Sequence, residues 1–157
     1  MSIDDLLGAA AYGGSGWRPR NQPLRNELGT IWQACGISNE WSPLRSVLLH
    51  RPGSEMETDG DPDQIQMLDR IDLALAQQQH DQIAQAYRGA GVQVHYVDPV
   101  SIPPPNMMYV ADLMLSTPEG VVLGRPASQV RAGEERFVAQ RLAQLEIPLL
   151  KYIRGYG

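Results

Sequence analysis

The stretch NEWSPLRSVLLHRPGSE, residues 39–55, contains the first segment of this chain that predicts regular structure. Residues 43–50 end in an apolar Val-Leu-Leu run, which Arg51-Pro52-Gly53 closes. A short apolar run that stops at a proline and a glycine is typical of a buried strand followed by a turn. We therefore predict the first buried strand at this position.

A long helix and a second strand are predicted next. Asp61 suits a helix N-cap and Pro62 a first helical position, so we predict a helix from residue 61 to about residue 90. Glycines end this helix, and residues 92–97 alternate like a strand. The apolar side chains that fall roughly on one helical face are Ile65, Leu68, Ile71, Leu75, Ile83 and Tyr87.

The second half of the chain repeats this order of elements. Residues 106–115 are strand-like, residues 116–120 predict a hairpin turn, and residues 121–125 pair back. Residues 134–145 predict a helix and residues 149–153 a last short strand. Helices that alternate with short strands predict an α/β fold.

Residues 1–37 differ in composition from the rest of the chain. They are rich in glycine and proline, and we predict an irregular N-terminal arm ahead of an α/β unit over residues 38–157. The glycine-rich stretch at residues 13–16 invites comparison with a phosphate-binding loop, but no Gly-Lys-Ser/Thr follows it and no strand precedes it. A flexible linker is the prediction for this stretch.

Composition excludes several classes of protein. The chain has 157 residues, with 18 acidic against 13 basic groups and a net charge of −5. It has no basic stripe for nucleic acid, and no apolar run approaches the roughly 18 residues of a membrane span. The single cysteine and the absence of a signal-peptide pattern predict a cytoplasmic protein.

Residue types alone do not assemble a complete active site. His50, His80 and His95 lie at no metal-ligand spacing from one another or from Cys35, so we predict no metal site and no cofactor. Cys35 has small apolar neighbours and no nearby base in the sequence. A small buried or half-buried thiol is the simpler interpretation, and a nucleophile is the alternative.

Asp112 is an acid within an apolar run. Three prolines at residues 103–105 precede Asn106 and lead directly into this run. A buried carboxylate is costly unless it pairs with a cation or is hydrogen-bonded. Asp112 therefore either faces a cleft and takes a cationic ligand or partner, or lies at a solvent-facing strand position or caps the hairpin.

Three motifs in order resemble the guanidino-group-modifying (pentein) superfamily, which includes amidinotransferases, arginine deiminases and dimethylarginine dimethylaminohydrolases. They are residues 39–55, the segment 106–112 and the Arg-x-x-Glu segment 131–134. The resemblance covers about residue 38 onward, and residues 117–120 favour the amidinotransferase-like branch. It implies an α/β propeller of five modules, of which about two are present in this chain.

The resemblance also implies a chemistry. In this family, carboxylates hold the guanidinium plane, a cysteine thiolate attacks it and a histidine protonates the departing amine. Asp112 matches a guanidinium-binding carboxylate, and Asn106 a neighbouring polar contact. Arg131 matches a position that approaches the substrate's carboxylate or orders the loop that does so. Glu134 is interpreted as a helix-start residue, and Ala111 replaces the arginine usual in the family.

The family's second carboxylate, histidine and nucleophilic cysteine match no residue of this chain, and Cys35 precedes the first motif. We therefore assign no catalytic residue and expect a truncated or split amidinotransferase-like protein that is inactive alone. The alternative is a non-catalytic binding module or subunit built from a propeller fragment. The expected partners are a guanidino small molecule, if the pocket is complete, and a second copy or partner chain that covers the exposed apolar flank.

Overall fold

The computed structural model describes residues 18–156, so the glycine-rich stretch at residues 13–16 and its predicted linker lie outside the described residues. Within the predicted arm, one helical turn forms α1 (Leu24–Glu27). Further along the arm, the amide of Gln33 donates a hydrogen bond to the carbonyl of Glu146 at 3.0 Å. Part of the arm therefore packs against the second half of the chain.

The first half contains two parallel strands joined through a helix. Strand β1 (Ser46–Leu49) pairs with β2 (Gln93–Tyr96), and α2 (Leu73–Gly89) lies between them in the chain. The side chain of Asp72 accepts a hydrogen bond from the amide of Leu75 at 3.0 Å and so caps the first turn of α2. The predicted order of strand, helix and strand is confirmed in this half.

The single long helix predicted from Asp61 is wrong, because the segment is interrupted. Asp61 caps a 3-10 helix over Pro62–Ile65 by accepting a hydrogen bond from the amide of Asp63 at 3.1 Å. Gln66 then takes the left-handed backbone conformation, with φ of 59°. A left-handed residue ends helical propagation, so α2 is a separate helix with its own cap.

The apolar face predicted for this helix is only partly buried. The helical residues that α2 buries are His80 and Ala84, and the helix packs against β2. The rings of His80 and Tyr96 have centroids 6.1 Å apart. Of the six apolar side chains predicted to share a face, Ile65, Ile71 and Tyr87 are half-buried, whereas Leu68, Leu75 and Ile83 are exposed.

The second half forms a mixed three-stranded sheet. Strands β3 (Met114–Thr117) and β4 (Gly120–Leu123) are antiparallel, and β5 (Leu149–Tyr152) pairs in parallel with β4 after helix α3 (Glu134–Gln144). The hairpin, the helix and the last strand are confirmed. The hairpin requires glycine at Gly120, because its φ is 147° and a Cβ there would lie 2.6 Å from a carbonyl oxygen.

The strand predicted over residues 106–115 is mostly wrong, because only its last residues are extended. The amide of Tyr109 bonds the carbonyl of Asn106 at 3.0 Å, and Val110–Asp112 forms a 3-10 helix. These local bonds satisfy the backbone where a strand would need a neighbour. The strand β3 begins only at Met114, so Asp112 lies on a 3-10 helix that precedes it.

One hydrophobic core joins the two sheets. Val110, at the start of the 3-10 helix that contains Asp112, and Leu113, directly after that helix, are both buried in it. Packing beneath Asp112 therefore fixes its backbone position. The core consists of Leu48, Val97, Met107, Val110, Leu113, Val121, Leu123, Phe137, Val138 and Leu142.

In the described part of the chain, none of the helices has the length and hydropathy of a transmembrane span.

Candidate functional site

The guanidinium of Arg131 lies between two carboxylates. Its Nη1 and Nη2 donate to the two carboxylate oxygens of Asp112 at 2.5 and 2.8 Å. Its Nε and Nη2 donate to Oε2 of Glu134 at 2.9 and 2.7 Å. Nη2 also lies 3.0 Å from the carbonyl oxygen of Tyr109. We call Asp112, Arg131 and Glu134 the acid–arginine cluster.

Two 3-10 helices and the start of α3 place these side chains. Asp112 ends the 3-10 helix before β3, and Arg131 ends a second 3-10 helix over Gln129–Arg131. Gly133 has a left-handed φ of 92° and turns the chain from this second helix into α3. Glu134 is the first residue of α3, as predicted, and the turn directs its carboxylate toward Arg131.

Burial differs sharply across the cluster. The side chain of Glu134 is 0% exposed and that of Arg131 is 15% exposed, whereas that of Asp112 is 59% exposed. Two ionised carboxylates and one guanidinium leave one negative charge in excess. Because Asp112 is by far the most exposed member, the excess charge is presented there.

The two acids of the cluster have opposite pKa shifts. The hydrogen bond from Arg131 lowers the pKa of Asp112. Burial raises the pKa of Glu134, although hydrogen bonds from Arg131 oppose that rise. Glu134 Oε1 is also buried, and no described residue forms a hydrogen bond with it. On acidification, Glu134 is therefore the first of the two carboxylates to take up a proton.

The structure brings Asp112 and Arg131 together but places Asn106 elsewhere. Asn106 is 3% exposed, and its Nδ2 donates to the carbonyl of Ile65 at 2.8 Å. Its amide therefore ties the loop before α2 to the turn before Asp112. Sequence reasoning missed that Glu134 joins the cluster, although its spacing of three residues from Arg131 at a helix start is the signal for such a pair.

The cluster is a surface feature, and two grooves lie elsewhere on the protein. A groove of about 460 Å³ is lined by Arg51, Asp81 and glutamines of α2. A second, of about 290 Å³, is lined by residues between Met56 and Ile71. Neither groove includes a residue of the acid–arginine cluster. The cluster is nevertheless the stronger candidate, because it concentrates buried charge at one exposed carboxylate.

Cys35 and His50 are reactive side chains outside the acid–arginine cluster. Burial raises the pKa of the Cys35 thiol, which disfavours the reactive thiolate. Cys35 is half-buried, as the simpler sequence interpretation predicted. His50 Nε2 lies 3.1 Å from Glu55 Oε1, and both side chains are buried. Among the described residues, no group of three or more His, Cys, Asp or Glu side chains is arranged to hold a metal ion.

Comparison with known proteins identifies relatives that share part of this chain. It is 41% identical over 72 residues to an arginine deiminase of Clostridium perfringens, a match that covers 42% of this chain and 16% of the relative. It is 42% identical over 65 residues to an arginine deiminase of Streptococcus equi subsp. zooepidemicus, covering 40% of this chain and 16% of that protein. The chain thus matches only a small part of these relatives. No protein-family model matches it.

Solved structures of dimethylarginine dimethylaminohydrolases share the fold. One adduct, with 4-chloro-2-hydroxymethylpyridine, has a TM-score of 0.58 and 19% identity, covering 73% of this chain and 42% of that one. The Pseudomonas aeruginosa enzyme, in a mutant form complexed with citrulline, has a TM-score of 0.57 and 19% identity, covering 71% of this chain and 42% of that one.

These relatives confirm the resemblance to the guanidino-group-modifying superfamily, since both kinds of enzyme are members of it. The fold is mixed α/β and similar to that of dimethylarginine dimethylaminohydrolase, as predicted at that level. The described sheets have two and three strands and do not close.

Proposed function

We propose that the acid–arginine cluster binds the planar guanidinium group of a small molecule, and that this chain supplies the guanidino-binding part of an amidinotransferase-like protein. One observation carries the proposal: the cluster has an excess negative charge, and Asp112, which is 59% exposed, is the member that presents it to solvent. Arg131 remains inside as the fixed partner of Asp112.

Asp112 has room for a second guanidinium. An ionised carboxylate offers about four acceptor sites, and Arg131 uses two of them. A ligand guanidinium can donate a charge-assisted hydrogen bond to one of the remaining sites, which diverge because Arg131 occupies one site on each oxygen. Its single positive charge would neutralise the excess charge of the cluster. An ammonium group has the same charge but is more strongly hydrated than a guanidinium, so it gains less from the same contact.

The proposal also includes an architecture for the chain. Residues 38–157 would form about two modules of a five-module propeller, with residues 1–37 as an arm. Support comes from the order of strands and helices in each half and from the unclosed sheets. We assign no catalytic residue to this chain, because burial raises the pKa of the Cys35 thiol and disfavours thiolate attack. A complete active site would require groups beyond those described.

One observation favours a second candidate function, a non-catalytic binding module or subunit that associates with itself or a partner chain. Both carboxylate oxygens of Asp112 already contact a guanidinium that belongs to the chain itself. In that case the cluster joins two surface segments of the chain, and the module binds another protein chain instead of a guanidino small molecule. The two candidates differ in whether an added guanidinium binds at Asp112.

The test is a titration of the 157-residue chain with methylguanidinium, followed by carboxyl and amide NMR. We expect saturable shifts at Asp112 at concentrations on the order of 10 mM, with methylammonium at least about tenfold weaker. Asp112→Asn should abolish the response. Asp81→Asn is the matched control, because Asp81 also pairs with an arginine and is 42% exposed. Absence of saturable shifts in the native chain, or equal binding by Asp112→Asn, would favour the binding-module candidate.

A further inference from the structure

We infer that Glu134 is a positioning residue that keeps Asp112 available to a cation, by sharing the guanidinium of Arg131. This inference rests on the proposed function and adds to it the source of the excess charge. Asp112 and Arg131 together form a neutral pair, so the excess negative charge comes from Glu134.

Arg131 divides its hydrogen bonds between the two carboxylates. Nε of Arg131 is directed to Glu134, Nη1 to Asp112, and Nη2 is shared between both carboxylates at 2.7 and 2.8 Å. Arg131 therefore donates some of its hydrogen bonds to Glu134 instead of Asp112, and its positive charge is shared between the two carboxylates. As a result, Asp112 stays oriented by Arg131 without being fully neutralised by it.

The start of α3 alone does not explain why an acid is buried at this position. The neighbouring Glu135 already accepts a hydrogen bond from the amide of Gly133 at 3.1 Å, and it places a negative charge in the first turn. Glu134, by contrast, is 0% exposed, and no described residue forms a hydrogen bond with its Oε1. Burying a carboxylate is costly, so a role that needs its charge is the stronger explanation.

The electrostatic consequence is specific. With Glu134 ionised, the cluster has two negative charges and one positive charge, and the excess lies at exposed Asp112. With Glu134 neutral, Arg131 and Asp112 cancel, and an incoming guanidinium must compete with Arg131 for the same carboxylate. Glu134 therefore affects cation binding without touching the ligand.

The experiment compares Glu134→Gln with Glu135→Gln, which removes the same charge one residue away. We expect methylguanidinium to bind Glu134→Gln at least about tenfold more weakly than the native chain, and Glu135→Gln within about threefold. Circular dichroism and urea unfolding verify that both variants are folded. Equal binding by Glu134→Gln and the native chain would overturn the inference.

A second readout needs no ligand. In Glu134→Gln, Arg131 is free to pair fully with Asp112, so the pKa of Asp112, followed by side-chain carboxyl NMR, should fall below its native value. A merely structural role would loosen the pair and move that pKa upward, which would contradict the inference. This measurement remains informative even if the native chain binds no methylguanidinium and the proposed function fails.

A third readout uses the native chain and covers the case in which Glu134→Gln does not fold. As the pH falls, Glu134 takes up its proton before Asp112 does. Methylguanidinium affinity should decrease across the Glu134 titration, while carboxyl NMR shows Asp112 still ionised. Affinity that falls only when Asp112 itself is protonated would show that Glu134 has no such role.

Discussion

The guanidinium of Arg131 and the carboxylate of Asp112 are joined by two hydrogen bonds, of 2.5 and 2.8 Å, although 19 residues separate them in the chain. The pair connects the 3-10 helix before β3 to the one before α3. Because Val110 and Leu113 are buried on either side of Asp112, the pair lies directly above the hydrophobic core. It therefore links surface chemistry to a rigid part of the fold.

Removing Arg131 should destabilise the protein strongly. Glu134 is 0% exposed, and its bonded oxygen has Arg131 as its cationic partner. Arg131→Ala would leave a buried carboxylate unpaired, at a cost of about 3 kcal/mol or more. Adding Glu134→Gln to that variant should restore part of the loss, because it removes the buried charge. Urea unfolding at neutral pH measures both effects.

Arg51→Ala is the matched control for this prediction. Arg51 pairs with Asp81 through two hydrogen bonds of 2.8 and 3.0 Å, but these side chains are 43% and 42% exposed. Exposed pairs contribute about 0–1 kcal/mol, so this variant should stay close to the native free energy of unfolding. If both arginine variants lose the same stability, burial of Glu134 is not the cause.

Gly124→Ala should displace the backbone of Asp112. A Cβ at Gly124 would lie 2.6 Å from the carbonyl oxygen of Asp112 and 3.3 Å from that of Leu113. Since backbone atoms cannot move aside as a flexible side chain does, we expect a loss of about 1–3 kcal/mol and weaker methylguanidinium binding. Gly89→Ala is the control, because nothing lies within 4 Å of its added Cβ. A Gly124→Ala variant with native stability and binding would contradict this account of the site.

Elements set by local signals could be predicted from the sequence. Strand β1 ends at Leu49, shortly before Pro52, strand β4 of the hairpin begins at Gly120, and α3 begins at Glu134, each at or near the predicted residue. These are positions where proline, glycine or a helix start limits the backbone to few conformations. Local backbone preferences therefore determine the structure at these positions, with little influence from tertiary packing.

Elements that depend on tertiary contacts could not be predicted from the sequence. The break at Gln66 has no glycine or proline to mark it, and the buried residues of α2 include His80, which is not on the predicted apolar face. A cationic partner for Asp112 is one of two alternatives that the sequence leaves open, and Arg131 is a predicted binding residue, but their pairing depends on two distant 3-10 helices. The burial of Glu134 likewise follows from the turn at Gly133 and the core beneath it.

Protonation of His80 should destabilise the fold as the pH falls. Burial lowers the pKa of His80 in the folded protein, and His50 and Arg51 lower it further against the opposing effect of Asp81. The unfolded chain therefore binds the proton first, so stability is retained above the unfolded pKa and lost as the pH falls through it. We expect the free energy of unfolding to decrease from about pH 7 to about pH 5.

His80→Gln tests this assignment, because glutamine keeps a polar side chain and does not titrate. The variant should show a flatter dependence of unfolding free energy on pH than the native protein. His95→Gln is the comparison: burial also lowers the pKa of His95, but this residue is only half-buried, so its effect should be smaller. An unchanged pH dependence in His80→Gln would show that other groups are responsible.

The chain should associate with itself through the mixed sheet. In the three-stranded sheet, β3 and β5 are the outer strands, and no further strand of the described residues pairs with them. Leu115 on β3 is 65% exposed and Tyr152 on β5 is 51% exposed. Unpaired edges with exposed apolar side chains favour association. Light scattering should give a mass above 17.3 kDa that rises with protein concentration.

Leu115→Lys should shift this equilibrium toward the monomer, because it places a charge on the open sheet face. Leu68→Lys is the matched control: Leu68 is fully exposed, but it lies in the segment before α2, outside the strands. If both variants reduce association equally, the contact is general and does not involve the sheet. A native mass of 17.3 kDa at all concentrations would mean that this sheet does not mediate contact between copies.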